Sequence, residues 1–258
     1  MKRLLLTGLC LALTLGAFAD TRGDEIARQY FGLPKAKDTQ ASAVMTIIDR
    51  SGSRKLRKLE IYYRETAEGK DAFLSFSEPA DIAGTKFLTL SHRGGSSEQR
   101  LYLPALKKTR RISSDDQGGA FVNSDFSFYD LEDRNFEDNT YTFLAENQSI
   151  ADRAFEGMKF YKIEMKPKDA SAPYSRTIAY VNEDDHFVYR LDCFDRRGGA
   201  LLKTILFVKV ENLKGYLIPT ETLVENFKIG SKTLLAMSDL RVDIGLSPRI
   251  FSVQNLER

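Results

Sequence analysis

A period of two in the hydrophobic pattern runs through most of this 258-residue chain and constrains its fold more than any other feature. Apolar and polar residues alternate in short segments, as side chains do on the two faces of a β-strand. Short turns separate the segments, and few helical patterns intervene, which favours an antiparallel meander over parallel βαβ units. The candidate strands are residues 43–48, 59–64, 72–76, 87–91, 100–103, 141–146, 158–166, 176–181, 187–193, 202–210, 217–227 and 233–243.

One helix is predicted ahead of this series of strands. Asp24 can cap a helix whose apolar stripe includes Ile26 and Tyr30, and residues 32–34, Gly-Leu-Pro, end it. No linker, low-complexity tract or internal repeat interrupts the rest of the chain. The sequence therefore predicts a single, mainly β (α+β) domain over residues 20–258.

The N-terminus has the three parts of a targeting segment. Residues 2–3 are basic, residues 4–16 are apolar, and a small-x-small pattern ends at Ala19. This pattern predicts a signal peptide over residues 1–19, with cleavage after Ala19 and export to the periplasm. The apolar run is short for a membrane span, and a retained anchor is the alternative interpretation.

The two cysteines indicate whether the exported protein is lipidated and whether it contains a disulfide. Cys10 lies inside the apolar run and not at the cleavage site, so the motif for lipidation is missing and a soluble mature protein is expected. Cys193 then remains alone, which excludes an intramolecular disulfide. We interpret it as a buried structural thiol, with a reactive thiol as the alternative.

Charge and histidine content narrow the function classes. Without the two basic residues of the leader, the chain has 36 basic and 36 acidic residues, whereas a nucleic-acid-binding protein should keep a basic excess. The only histidines are His92 and His186, and no catalytic, phosphate-binding or metal-binding motif is present. The sequence therefore indicates neither an enzyme nor a bound metal or cofactor.

Several strands are apolar on both faces, including FLSF at residues 73–76, ILFV at residues 205–208 and TLLA at residues 233–236. Such strands can separate packed helices from an apolar interior, and curled antiparallel sheets can enclose ligands. An ordinary filled core gives the same pattern. The periodicity leaves both interpretations open.

Three motifs between residues 76 and 131 occur in a fixed order: F-x-x-P-x-D-I-x-G-T, L-Y-L-P-A-L-K-K-x-R-R-I and F-x-x-S-D-F-S-x-x-D-L. Together with a C-terminal F-x-x-x-x-L tail, they make the chain resemble outer-membrane lipoprotein-sorting proteins, in a LolA-like branch associated with RND-type exporters. The resemblance covers nearly all of the mature chain. It departs from the family pattern at Asn123, where glycine is common, but asparagine tolerates the same left-handed backbone conformation.

The resemblance implies an unclosed antiparallel β-barrel, of the LolA/LolB half-barrel type, with a few short helices as a lid over an apolar cavity. It implies a periplasmic carrier or chaperone that holds acyl chains of lipoproteins or lipids, including phospholipid, on the way to the outer membrane. Implied partners are an RND-type inner-membrane exporter and an outer-membrane acceptor. The alternative is a non-carrier interaction subunit of such an exporter or of another envelope complex, with its interior filled by its own side chains.

Candidate cavity residues come from the apolar faces of the early strands, although the alternation alone does not say which face looks inward. They are Leu59, Ile61, Leu74, Phe76, Leu101 and Leu103.

A basic stretch that follows Pro104 is a candidate docking loop. Arg110 and Arg111 belong to it, and they would meet lipid headgroups, an acidic partner or a membrane surface. The alternative is a solvated turn in which either arginine pairs with a nearby aspartate, at position 115, 116 or 125.

The stretch after this loop is a candidate lid. Ser124 is predicted to cap a short helix over residues 125–132. Phe126, Tyr129 and Leu131 are predicted to pack as a plug over one mouth of the barrel, with plain structural packing as the alternative. Phe121 is a further candidate lid residue.

Overall fold

A computed structural model of the protein describes residues 21–92 and 97–257. The signal peptide predicted at residues 1–19 lies outside the described residues. So does Gly94-Gly95, at which the sequence predicts a turn between the candidate strands 87–91 and 100–103. The predicted N-terminal helix is confirmed as α1 (Thr21–Phe31). Asp24 lies within its first turn instead of capping it.

Thirteen strands follow within the described residues, and the twelve predicted strands are confirmed among them. The prediction of a loop or turn for the basic stretch after Pro104 is wrong, because Lys108–Ile112 pairs with the preceding strand as an additional edge strand. They are β1 (Asp38–Ile48), β2 (Arg54–Thr66), β3 (Gly69–Glu78), β4 (Lys86–Leu90), β5 (Glu98–Leu103), β6 (Lys108–Ile112), β7 (Asn139–Gln148), β8 (Phe160–Pro167), β9 (Tyr174–Asn182), β10 (Val188–Asp195), β11 (Leu201–Leu213), β12 (Tyr216–Asn226) and β13 (Ser231–Val242). A short helix, α2 (Val253–Leu256), ends the described chain.

All thirteen strands form one antiparallel sheet in the order β6-β5-β4-β3-β2-β1-β13-β12-β11-β10-β9-β8-β7. Every neighbour in this order is also a neighbour in sequence except β1 and β13, which join the two ends of the meander. Strands β6 and β7 form the two free edges of the described sheet. The expected unclosed antiparallel barrel is therefore confirmed.

The inner face of the sheet is defined by a row of side chains that pair across four neighbouring strands. Ile61 lies opposite Leu74, Leu74 opposite Phe87, and Phe87 opposite Leu101, and all four are buried. The segment between β6 and β7, residues 113–138, crosses this face, and we call it the crossing segment. It fills this half of the interior with aromatic rings.

The outer face of β3 to β5 is covered by the C-terminal tail. Phe251 and Leu256 pack against Phe73 and Leu88, and all four are buried. The F-x-x-x-x-L pattern at the end of the chain is therefore a packing motif that covers the convex side of the sheet.

The prediction of a helix over residues 125–132 is wrong. Only a single 3-10 turn forms there, at Tyr129–Leu131. Ser124 donates its hydroxyl to the carbonyl oxygen of Phe121, 2.7 Å away, and caps no helix. Phe128 and Tyr129 donate their backbone N–H groups to earlier carbonyls of the crossing segment, and Asp125 donates to the hydroxyl of Thr233 in the sheet. These bonds satisfy the backbone without a local helical ladder.

Candidate functional site

A cavity of about 460 Å³ lies between the inner face of β8 to β13, the end of α1 and the crossing segment. Its wall is largely apolar and includes Leu191, Ile205, Phe207, Leu217, Leu235 and Met237. Most apolar interiors are packed to the density of an organic crystal. A void of this size beneath a covering segment is therefore the feature of the fold that most resembles a binding site.

Strand register places these side chains on the inner face. Leu191 of β10 lies opposite Ile205 of β11, and Leu235 of β13 lies opposite Met45 of β1. Leu191 and Leu235 are only half-buried, unlike Met45, which is 1% exposed. Because both also belong to the cavity wall, part of each side chain is free to contact a ligand.

One end of the cavity is polar. The carboxylate of Asp133 lies 3.5 Å from the ammonium group of Lys70 and 3.8 Å from that of Lys35. The Lys70 ammonium also lies over the ring of Tyr63, 5.1 Å from its centre. Burial alone would lower the pKa of Lys70, but the nearby carboxylates of Asp133 and Glu65 leave it above its usual value.

A buried ion pair fixes the crossing segment to the sheet beside the cavity. The Lys203 ammonium of β11 lies 2.6 Å from Oδ2 of Asp130 and donates to the carbonyl oxygen of Asp125 at 2.9 Å. The hydroxyl of Tyr174 donates to the other oxygen of Asp130 at 2.6 Å. Burial, followed by the charge of Asp130, raises the pKa of Tyr174 well above its ordinary value.

A second attachment holds the crossing segment to β13. Thr233 donates its hydroxyl to Oδ2 of Asp125 at 2.7 Å, and Ser231 donates to the other carboxylate oxygen. Both aspartates of the S-D-F-S-x-x-D motif are thus used to bind the sheet. The motif therefore holds the crossing segment against the inner face of the sheet.

The left-handed backbone of the preceding turn agrees with its sequence. Asn123 has a φ of 55°, as the replacement of glycine by asparagine predicts. Val122 has a φ of 42°, which is rare for a β-branched residue. Its carbonyl oxygen accepts a hydrogen bond from Arg57 of β2, so the sheet stabilises this conformation.

The three aromatic residues predicted as a lid all lie in the crossing segment. Phe121 is fully buried among Phe76, Phe87 and Phe128, with a ring-centre distance of 5.0 Å to Phe87. Phe126 and Tyr129 belong to the cavity wall. Their role as a lid stays a prediction.

The two arginines predicted to dock lie on edge strand β6, and both are exposed. Arg110 pairs with Asp116 at 2.7 Å, on the surface. This is one of the pairings that the alternative interpretation named. A docking role for Arg110 and Arg111 stays a prediction.

The six residues predicted to line the cavity lie under the crossing segment and not in the cavity wall, as the described residues define it. Leu59, Ile61, Leu74, Phe76 and Leu101 are buried in the main core cluster, and Leu103 packs against it. A ligand would reach them only after the crossing segment had moved. Contact between these side chains and a ligand therefore stays a prediction.

Sequence reasoning missed Lys203 and the cavity wall in β10 to β13. Lys203 is the only charged residue in the apolar stretch LLKTILFV. This pattern could have indicated a buried ion pair, because a lysine on an apolar strand needs a partner. Cys193 is buried, as predicted, and is also part of the cavity wall. Burial raises the pKa of its thiol.

No described helix combines the length and the apolar character that crossing a membrane requires. The described residues also contain no cluster of three or more His, Cys, Asp or Glu side chains placed to hold a metal ion.

Comparisons with known proteins identify a family and solved structures that resemble this chain. A family model for proteins described as uncharacterized matches residues 68–258. The crystal structure of a DUF1329 family protein from Desulfovibrio piger is 28% identical, with a TM-score of 0.85, and the match covers 92% of this chain and 99% of that one. No curated protein sequence matches the chain.

Two further crystal structures share the fold. A proposed outer membrane lipoprotein-sorting protein domain from Vibrio parahaemolyticus is 29% identical over 93% of this chain and 100% of its own, with a TM-score of 0.85. A LolA superfamily protein from Nitrosomonas europaea is 19% identical over 90% of this chain and 98% of its own, with a TM-score of 0.69. The last likeness establishes a LolA-like open barrel as the fold.

Proposed function

We propose that this chain, which belongs to the DUF1329 family, is a periplasmic carrier for acyl chains. It binds the acyl chains of lipoproteins or lipids in its cavity and moves them towards the outer membrane. The proposal involves shielding and release, and no bond is made or broken. An RND-type exporter at the inner membrane and an acceptor at the outer membrane are its proposed partners.

The observation that carries this proposal is the apolar cavity of about 460 Å³ beneath the crossing segment. Each methylene group removed from water contributes about 0.8 kcal/mol, so an acyl chain gains from any site that excludes water. The wall residues Leu191, Leu235 and Met237 offer such a surface. The similar domain from Vibrio parahaemolyticus is a proposed outer membrane lipoprotein-sorting protein, and this likeness also supports a carrier function.

The polar end of the cavity suits an amphiphile better than a purely apolar ligand. Lys70, Asp133 and Glu65 line it, next to the hydroxyl of Tyr63. A headgroup or an ester carbonyl placed there would keep hydrogen-bonding partners, since an unpaired polar group in an apolar site costs free energy. The acyl chain would then extend along β10 to β13.

Extraction of the purified protein tests the proposal. The protein is isolated from the periplasmic fraction without detergent, extracted with organic solvent, and the extract is analysed by mass spectrometry. A carrier should release acyl lipid in proportion to protein. After delipidation it should bind a fluorescent fatty-acyl probe saturably, and added phospholipid or lipopeptide should displace the probe.

An extract without lipid, together with no saturable probe binding, would exclude the carrier function. The interaction subunit of an exporter or envelope complex would then be the better hypothesis. Intact mass of the same preparation tests export: the proposed mature chain begins at Asp20, and a mass that includes residues 1–19 or a diacylglycerol would contradict it.

A further inference from the structure

Two hairpin turns meet at one end of the sheet. Residues 49–53 join β1 to β2, and residues 227–230 join β12 to β13. Because β1 pairs with β13, with Ile48 opposite Lys232, the two turns lie side by side. Arg50 lies directly against Gly230, where an added Cβ would be 3.4 Å from its Cγ. We call residues 49–56 and 227–232 together the hairpin tip.

The hairpin tip exposes large hydrophobic side chains. Leu56, Phe227 and Ile229 are 58%, 52% and 58% exposed. They are half of the six large hydrophobic residues that are exposed within residues 21–92 and 97–257. Scattered exposed apolar residues are ordinary, but a concentration at one end of a domain indicates a surface that something covers.

The same tip carries an excess of positive charge. Arg50, Arg54, Lys55 and Lys228 are all exposed, and no ion pair with a carboxylate forms at any of them in the described parts of the chain. Lys232 is also exposed and pairs with Glu225.

The acidic group within the tip is already engaged. The carboxylate of Asp49 accepts hydrogen bonds from Ser51 and Ser53 of its own turn. These bonds lower the pKa of Asp49, the hydroxyl of Ser51 first among them. Asp49 therefore stays ionised, and the charge of Lys55 lowers its pKa further. One carboxylate does not balance the four basic side chains, so the tip keeps a net positive charge.

We propose that the hairpin tip docks onto an anionic lipid surface. Exposed aromatic and branched apolar side chains insert into the boundary between headgroups and acyl chains, and basic side chains around them attract anionic headgroups. An uncharged surface would leave the basic excess unpaired, and a purely electrostatic contact would not need Phe227 and Ile229. The tip is separate from the cavity wall, so this docking goes beyond the proposed carrying of acyl chains.

Vesicle co-sedimentation tests the proposal. The probes are phosphatidylcholine vesicles and vesicles of phosphatidylcholine and phosphatidylglycerol in equal parts, at low and at high salt. Wild-type protein should bind the anionic vesicles and leave the neutral ones, and salt should weaken the binding. Replacing both Arg54 and Lys228 by glutamine should reduce partitioning about fivefold for each charge, since a basic residue near such a surface contributes roughly 1 kcal/mol.

The apolar part of the tip is tested by Phe227→Ser with Ile229→Ser. Because both residues are exposed, this variant should melt like the wild type and bind the fatty-acyl probe equally well, while its partitioning falls at least tenfold. Leu144→Ser with Ile244→Ser is the matched control, because both are exposed elsewhere. All variants keep the same N-terminal residues, so any contribution of the leader cancels.

Equal binding of neutral and anionic vesicles, or an equal loss in the control variant, would overturn the proposal, and so would unchanged partitioning of the Phe227 and Ile229 variant. Absence of any vesicle binding would also overturn it and would favour an acidic protein as the partner. None of these outcomes depends on probe binding in the cavity, so failure of the docking proposal and failure of the carrier function are distinguishable.

Discussion

The Lys203 ammonium lies 2.6 Å from the carboxylate of Asp130, with only 5% and 3% of the two side chains exposed. This pair joins β11 to the crossing segment at the edge of the cavity. Because Asp130 also accepts hydrogen bonds from Tyr174 and from the backbone of Ser127, its charge is held by three donors. The crossing segment can therefore move away from the cavity only if this buried ion pair separates or if β11 moves with the segment.

Replacing Lys203 by Met should destabilise the protein strongly. Removing one partner of a buried pair leaves the other charge uncompensated, which typically costs 3–5 kcal/mol. Denaturant unfolding followed by tyrosine fluorescence measures the free energy of unfolding. The double variant with Asp130→Asn should be more stable than Lys203→Met alone, because the uncompensated charge is gone; a double variant that is less stable would contradict the buried-pair interpretation.

Alkaline pH should weaken the same attachment through Tyr174. Its pKa is raised well above 10 in the folded chain, whereas an unfolded tyrosine ionises near pH 10. Above about pH 10 the unfolded state releases this proton and its free energy falls, while the folded state keeps the proton. The contribution of Tyr174 to stability is therefore fully present below pH 10 and is lost as the pH rises. Tyr174→Phe should therefore show a shallower loss of melting temperature between pH 9 and pH 11 than the wild type does; equal slopes would contradict the prediction.

The regular part of the fold could be predicted from the sequence because side-chain alternation and turn chemistry are local. The prediction failed where the ladder is irregular. Phe187, Tyr189, Leu191 and Cys193 alternate in sequence, and this pattern predicts that they share one face of the strand. A register shift between Val188 and Arg190 instead turns Tyr189 outward. A β-bulge adds one residue to a strand, and nothing in the local pattern announces it.

The cavity could not be located from the sequence for a different reason. Leu74 and Leu191 both lie on apolar strand faces, and alternation cannot distinguish between them. The difference is set by the crossing segment, which packs Phe121 and Phe128 above Leu74 and leaves space above Leu191. Which half of an open barrel is filled depends on contacts between residues far apart in the chain.

The basic stretch on edge strand β6 supports a test of docking. Arg110 and Arg111 are exposed, and exposed ion pairs such as Arg110 with Asp116 contribute little to stability. Changing both arginines to alanine should leave the melting temperature nearly unaltered but slow the transfer of cargo to acceptor membranes. Lys166→Ala with Lys168→Ala is a control with the same change in charge. If the arginine variant unfolds readily, or transfers cargo as fast as the control, the predicted docking role is wrong.

Cys193 provides a reporter for opening of the cavity. Burial raises the pKa of its thiol, so the nucleophilic thiolate is scarce at neutral pH. In a Cys10→Ser background, a disulfide reagent should label the native protein far more slowly than the denatured protein. Lys203→Met should accelerate labelling, because the crossing segment is held less firmly.

Saturating fatty-acyl probe should slow the labelling of Cys193, since the thiol is part of the cavity wall. A probe that binds saturably without protecting Cys193 would place the binding site elsewhere. Labelling of denatured protein in the same probe concentration is the control for direct reaction between probe and reagent.

Two tryptophan substitutions separate the cavity from the filled core. Leu74 is 3% exposed within the main core cluster, so Leu74→Trp should overpack it at a cost of about 1–3 kcal/mol. Leu191 is half-buried at the cavity wall, and a larger ring there has space to occupy. Leu191→Trp should therefore change the free energy of unfolding less than Leu74→Trp does, while it weakens binding of the fatty-acyl probe more. Denaturant unfolding and probe titration on both variants give the four values needed.

The reverse order would contradict this prediction: Leu74→Trp would be well tolerated and would selectively impair probe binding. That result would mean that the crossing segment moves away from β3 and that ligand enters the half of the barrel where Leu59, Ile61 and Phe76 lie.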